Sequence, residues 1–144
     1  MNSKKQPHNN TVCDGYLVTE KYVVVLDDNN RKHDGIIERV LLSDVLYING
    51  LSLRSLPFSK RVQELYREIV EPIKNLQKDL EVMKQTGFRS VEMRDFWPLK
   101  ELKKLEELFI PSLLHESEGL VLLDPSSTYC YGDQPSHMWK YEKQ

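Results

Sequence analysis

Residues 12–50 are crowded with β-branched and aromatic side chains, and that crowding constrains the chain more than anything else in it. Tyr16-Leu17-Val18 and Tyr22-Val23-Val24-Val25-Leu26 are followed by Ile36-Ile37-Glu38-Arg39-Val40-Leu41-Leu42 and Val45-Leu46-Tyr47-Ile48. Such residues fit a pleated, half-buried surface. Asp27-Asp28-Asn29-Asn30 separates the runs and Asn49-Gly50 closes them. Both are turn signals, and the second favours a hairpin. The first third of the chain is therefore expected to be antiparallel strands, preceded by a polar, disordered segment at 1–11.

Helical spacing begins after Pro57. Val62, Leu65, Tyr66, Ile69 and Val70 recur on one face, with Ser59 as the expected cap. Pro72 should interrupt this helix, because proline has no N–H and clashes with the preceding turn. A second helix is expected over Ile73–Met83, ending at Gly87. Residues 88–97 read as a strand. Leu99–Phe109 has the stripe of an amphipathic helix, with Leu99, Leu102, Leu105, Leu108 and Phe109 inward. Gly119–Leu123 is an apolar strand, Pro125-Ser126-Ser127 a turn, and His137–Tyr141 a last strand. The pattern is mixed α+β. Ile36–Leu42, Val45–Ile48 and Gly119–Leu123 are expected in or near one sheet, covered by the 60–70 and 99–109 helices.

At 144 residues the chain suits one domain. Its net charge of −2 gives no overall basic footprint for nucleic acid, though a local cleft can still be basic. No apolar run approaches the roughly 18 residues of a membrane span. The polar start, Met1–His8, has no apolar segment behind it, which argues against a secretory signal and for an intracellular protein. Cys13 and Cys130 form no metal motif and are expected to be reduced core residues. His8, His33, His115 and His137 lack zinc-ligand spacing. A Gly-rich phosphate loop is missing as well.

Several segments share one resemblance. The last is His115-Glu116-Ser117-Glu118-Gly119-Leu120, followed by Tyr129, Gly132 and Met138-Trp139-Lys140-Tyr141-Glu142-Lys143. Before it come Ser90-Val91-Glu92-Met93-Arg94-Asp95-Phe96-Trp97 and the Val40–Gly50 run with Ser43-Asp44, Arg54, Leu56-Pro57-Phe58 and Arg61. Asn10–Val18, with Asp14-Gly15-Tyr16, precedes them all. In this order they resemble the motifs of mRNA capping guanylyltransferases, covalent nucleotidyltransferases related to DNA and RNA ligases. The resemblance implies the antiparallel-sheet half of such a domain, ATP-grasp-like, over 12–144. It implies that Glu118 acts near metal and phosphate, with Mg2+ as cofactor, and that Lys140 meets the α-phosphate. Arg54 or Arg61 would serve nucleotide or RNA phosphate, and Asp44 would belong to the nucleotide-binding site. GTP or a cap guanine nucleotide and an RNA 5′ end would be the ligands, in the nucleus, with an RNA polymerase II tail or a cap methyltransferase as protein partners.

The sequence departs from the family at named places. Ser43 stands where an aromatic packs on the base, and stacking is worth roughly 1–3 kcal/mol. Tyr16 replaces a glutamate. Lys143 is one residue off the Lys-x-Lys spacing, which on a strand turns it to the other face. The family's nucleophile lies in Lys-x-Asp-Gly, upstream of the strands at 16–26. There, Val12 stands in the lysine's place before Cys13-Asp14-Gly15, and Lys4 and Lys5 have no Asp-Gly partner. The chain is thus expected to lack the nucleophile motif and the C-terminal OB-fold, and to be inactive alone. Two alternatives stand beside this: a degenerate cap- or protein-binding module, and a fragment of a DNA-ligase adenylation domain.

Overall fold

The structure, a computed structural model, describes residues 8–26, 28–29, 32–77, 90–130 and 138–141; for 22–26, 32–37, 77 and 138–141 it describes the backbone. Two long strands form the frame, β1 at Val12–Leu26 and β2 at Lys32–Ile48. They pair antiparallel from Val12↔Tyr47 to Leu26↔Lys32. The separate runs of the sequence are thus merged, because the pairing carries both Asp-Gly dipeptides inside strands. At Asp14-Gly15 the register shifts and leaves Ser43 unpaired, a bulge. A Cβ at Gly15 would lie 2.6 Å from the Leu41 carbonyl oxygen, so this close crossing needs glycine. Asn49 and Gly50, at φ 49 and 81, make the expected tight turn into β3, Leu51–Ser52.

β4, Ser90–Met93, lies parallel to β2 through Arg39↔Ser90 to Leu42↔Met93. One parallel strand therefore joins a sheet read as antiparallel, and among the described residues of the strand expected over 88–97 only Ser90–Met93 is strand. The expected single sheet also divides. β5, Leu120–Leu123, pairs with β6, Met138–Tyr141, in a sheet of their own. Hydrophobic runs mark strands but not which distant strand will pair.

A helical run covers one face of the main sheet: α1 (Phe58–Leu65), a π turn (Tyr66–Val70) and α2 (Glu71–Gln77). Val45, Leu53, Leu65, Ile69 and Val70 are buried there, with Cys13, Leu42 and Met93 packed against them. Ser59 does not cap α1. The N-cap is Pro57. The free N–H groups of Phe58 and Ser59 donate instead to the carbonyls of Ser127 (2.7 Å) and Pro125 (2.9 Å).

Pro72 does not end the helix either. The π turn widens the backbone just before it, and α2 continues. The Glu68 carbonyl, which a fourth-following N–H would otherwise meet, accepts from His8 Nε2 at 2.8 Å. Thr11 Oγ1 lies 3.3 Å from His8 Nδ1 and accepts from the Asn49 N–H at 3.1 Å, and the Gly50 N–H donates to the Asn10 carbonyl at 3.0 Å. Residues 8–11 of the segment expected to be disordered are thus held to the body. Residues 1–7 lie outside the described residues, as do 78–89, which include the far end of the second expected helix.

Residues 99–112 are helical in short pieces: a 3-10 turn (Leu99–Glu101), α3 (Leu102–Lys104), a π turn (Leu105–Phe109) and α4 (Ile110–Ser112). Leu99 and Leu108 are 67% and 65% exposed, against the expected inward stripe. Tight and wide turns change the angle per residue, so a stripe drawn at 3.6 residues per turn misplaces them. This run packs on itself, and Phe109 meets Trp97 with ring centroids 5.2 Å apart. Among the described residues it makes no extended contact with the main sheet. The sequence thus folds as α+β, but one covering helix does the work expected of two.

Candidate functional site

The face of the main sheet away from α1 carries the polar side chains. Side chains alternate along a strand. Cys13 turns to the core with Val45, so Asp14, Tyr16, Val18 and Glu20 share the opposite face.

Near one end of β2, Asp44 is paired with Arg61 of α1, which is only 2% exposed. Arg61 Nε donates to Asp44 Oδ1 at 2.8 Å and Nη2 to Oδ2 at 3.0 Å, a bidentate fork. Nη1 donates to the carbonyls of Leu56 (2.6 Å) and Ser127 (3.0 Å). The Phe58 and Tyr129 rings flank the guanidinium at 5.5 and 5.7 Å. Asp44 also accepts from the Val45 N–H at 2.8 Å. Asp44 and Arg61 thus satisfy each other and tie β2 to α1 and to the 124–129 loop. Tyr129 donates its hydroxyl to Asp14 Oδ2 at 3.4 Å, and its N–H to the Arg54 carbonyl at 3.0 Å. Burial, then the Asp14 carboxylate, raises the Tyr129 phenol above its usual range. Ser43 Oγ donates to the Asp14 carbonyl at 3.3 Å across the bulge. Cys13 is half-buried, and burial, then the Asp44 charge, pushes its thiol up to about 11. Cys130 is exposed rather than in the core, and both thiols are free.

Arg54 is half-buried beside Tyr47, with Nη1 at 3.5 Å from its hydroxyl. Its hydrogen bond and charge lower the Tyr47 phenol. Glu118 is exposed, just before β5, and Gly119 after it takes φ 148, a conformation that favours glycine. Of Lys140 the structure describes the backbone, paired with Val121. Glu118 lies two residues before β5, and Val121, the partner of Lys140, is three residues further along the chain from it. The structure therefore brings Asp44 and Arg61 together, sets Arg54 beside Tyr47, and leaves Glu118 and the Lys140 backbone with the small sheet.

A second polar centre, not predicted from the sequence, lies further along the open face. Glu20 is 5% exposed. Its carboxylate meets Arg39 Nη2 at 3.2 Å and faces His115 Nε2 at 3.9 Å. Arg39 also reaches Glu92 at 3.4 Å. A groove of about 440 Å³ beside it is lined by Val18, Thr19, Lys21, Leu114, His115 and Glu116. The available signal was a pair of charges breaking each run, Glu20-Lys21 in β1 and Glu38-Arg39 in β2, of which Glu20 and Arg39 meet. Buried charges need partners, and these two are each other's.

Among the described residues no group of three or more His, Cys, Asp or Glu stands ready to hold a metal. Arg61 occupies the Asp44 carboxylate, and the described residues do not make a closed magnesium site. No helix among the described residues is long and apolar enough to cross a membrane.

A family model described as "mRNA capping enzyme, catalytic domain" matches residues 1–143. The chain belongs to the mRNA capping enzyme family. Its setting is therefore mRNA capping, and its activity class is RNA guanylyltransferase-like, with GTP and RNA 5′ ends as the substrates that the family implies. No curated protein matches the chain.

Lys32-His33-Asp34-Gly35 has the letters of the nucleophile motif that was expected to be missing. It follows Asp14-Gly15 in the chain rather than preceding it, and it opens β2 at the far end of the hairpin, where Lys32 pairs with Leu26. At about 3.3 Å per residue, Lys32 stands roughly 40 Å along the strand from Asp44. Its letters match, but its place in the hairpin is far from Asp44.

Proposed function

We propose that this chain handles guanine nucleotide at the RNA 5′ end as part of a capping guanylyltransferase-like unit, without forming the covalent adduct itself. The span of the family match, residues 1–143, carries this reading. Glu118 meets the phosphates and any magnesium they bring, and Lys140 supplies a point charge to the α-phosphate. Arg54 serves a nucleotide or RNA phosphate. Asp44 and Arg61 hold the pocket wall, since a fork already saturated has little left for a ligand. The work belongs to nuclear mRNA processing, beside an RNA polymerase II tail or a cap methyltransferase.

A second reading, a degenerate module that binds a cap or a protein, is favoured by Ser43 and Tyr16 at positions where the family carries an aromatic and a glutamate. Calorimetric titration with GTP and a cap analogue separates the two. Binding of GTP in the sub-millimolar to millimolar range, tightened by Ser43→Phe toward the tenfold that about 1.4 kcal/mol brings, supports the first. Absence of heat from either protein with either ligand would end the nucleotide reading.

A further inference from the structure

We propose that Tyr16 is a stacking platform for a neutral purine base, backed by Arg94. The proposal rests on the nucleotide reading above and names the residue that receives the base. Tyr16 is 55% exposed although it sits in the middle of a paired strand. The Arg94 guanidinium lies over its ring, with Cζ 5.1 Å from the centroid. A ring covered on one face and still so exposed offers its other face to a ligand. Arg94 is itself anchored, because its N–H donates to the Leu42 carbonyl at 2.8 Å. The backbone that presents the guanidinium is therefore fixed to β2, the strand paired with the one that carries Tyr16.

The bulge sets the position. Asp14 pairs with Asp44, Gly15 with Leu42 and Tyr16 with Leu41, so Ser43 is the unpaired residue and Tyr16 is its diagonal neighbour. Diagonal neighbours on adjacent strands stand roughly 7–8 Å apart, within reach of an aromatic ring. The aromatic surface absent at Ser43 is thus present one strand over. On the same face the Asp14 carboxylate, which accepts from Tyr129, is a ready acceptor for a base N–H.

Arg94 also sets a preference. An aromatic ring attracts a cation to its face. One face of Tyr16 already carries a guanidinium, so a second cation opposite it is disfavoured. The platform therefore selects the neutral guanine of GTP over the cationic N7-methylated guanine of a cap.

The test uses the full chain with GTP, N7-methyl-GTP and inorganic triphosphate. Tyr16→Leu is expected to weaken GTP binding at least fivefold, with an unchanged circular dichroism spectrum. Tyr16→Trp is expected to retain the affinity and to show emission quenched by GTP but not by triphosphate. Wild type is expected to bind GTP several-fold tighter than the methylated nucleotide. GTP binding unchanged in Tyr16→Leu, equal quenching by triphosphate, or tighter binding of the methylated nucleotide would each overturn the platform while leaving the nucleotide reading in place. Failure of wild type to bind GTP at all overturns both.

Discussion

Arg61 illustrates how a side chain that resembles a ligand contact becomes part of the frame. It makes four hydrogen bonds within the protein, two to Asp44 and two to backbone carbonyls. Removing one partner of a buried pair leaves the other charge uncompensated. Arg61→Ala should lower the unfolding free energy by about 3–5 kcal/mol in urea titration. Arg61→Lys should recover little of it, because an ammonium cannot reproduce the fork. A loss below about 1 kcal/mol, typical of an exposed pair, would contradict the buried-frame role. Cys13 gives a pH counterpart. Its thiol, raised to about 11, stays protonated in the fold where an ordinary thiol begins to ionise. The group's folded value lies above its unfolded one, so its contribution to stability is complete below pH 9 and is lost as the pH rises toward 11. At pH 8 iodoacetamide should label exposed Cys130 much faster than Cys13, whose thiol is half-buried and held protonated, since the thiolate is the nucleophile. Mass spectrometry of the two peptides reads the ratio, and equal labelling would mean that Cys13 is not shielded.

Among the elements, legibility followed the range of the interactions that decide each one. The strands over 12–50 were readable because β-branched composition acts locally, and Asn49-Gly50 announced its turn for the same reason. Ser59 misled because the cap of α1 comes from carbonyls of Pro125 and Ser127, far along the chain. Pro72 misled because a π turn and a bond from His8 absorb what it disrupts. Leu99 and Leu108 misled because the helical turns around them are uneven. Of the site residues, Asp44 and Arg61 were visible as a motif, but their mutual saturation was not, since it needs the fold to bring them together. The Glu20, Arg39 and His115 centre was hidden similarly. The remote cap depends on a turn in which Asp124 Oδ1 accepts from the Ser126 N–H and hydroxyl, at 2.9 and 2.7 Å. Asp124→Ala should loosen that turn and cost about 1–2 kcal/mol, the range of a lost helix cap. Hydrogen exchange should then rise at Phe58 and Ser59, and unchanged protection there would show that the loop holds without Asp124.

At the scale of the whole molecule, the long hairpin separates two things that an autonomous capping enzyme must bring together. The open-face residues Asp14, Tyr16 and Tyr129 and the Asp44–Arg61 pair lie toward one end of β1 and β2. Lys32, the lysine with nucleophile-motif letters, lies at the other, roughly 40 Å from Asp44 if the strand is extended. Covalent transfer requires the attacking nitrogen about 3–3.5 Å from the α-phosphorus in a productive pose. A nucleotide seated near Tyr16 cannot meet that demand from Lys32 of the same chain. It would also need a lysine whose ammonium has been made to shed its proton, and that takes a packed, desolvated site. Incubated with α-labelled GTP and magnesium, the chain is therefore expected to form no acid-stable GMP adduct, while still binding GTP in a titration. Lys32→Ala should change neither result. A labelled band that disappears in Lys32→Ala but persists in Lys140→Ala would mean that the hairpin folds back over the sheet to deliver Lys32. That outcome would assign the covalent chemistry to this chain.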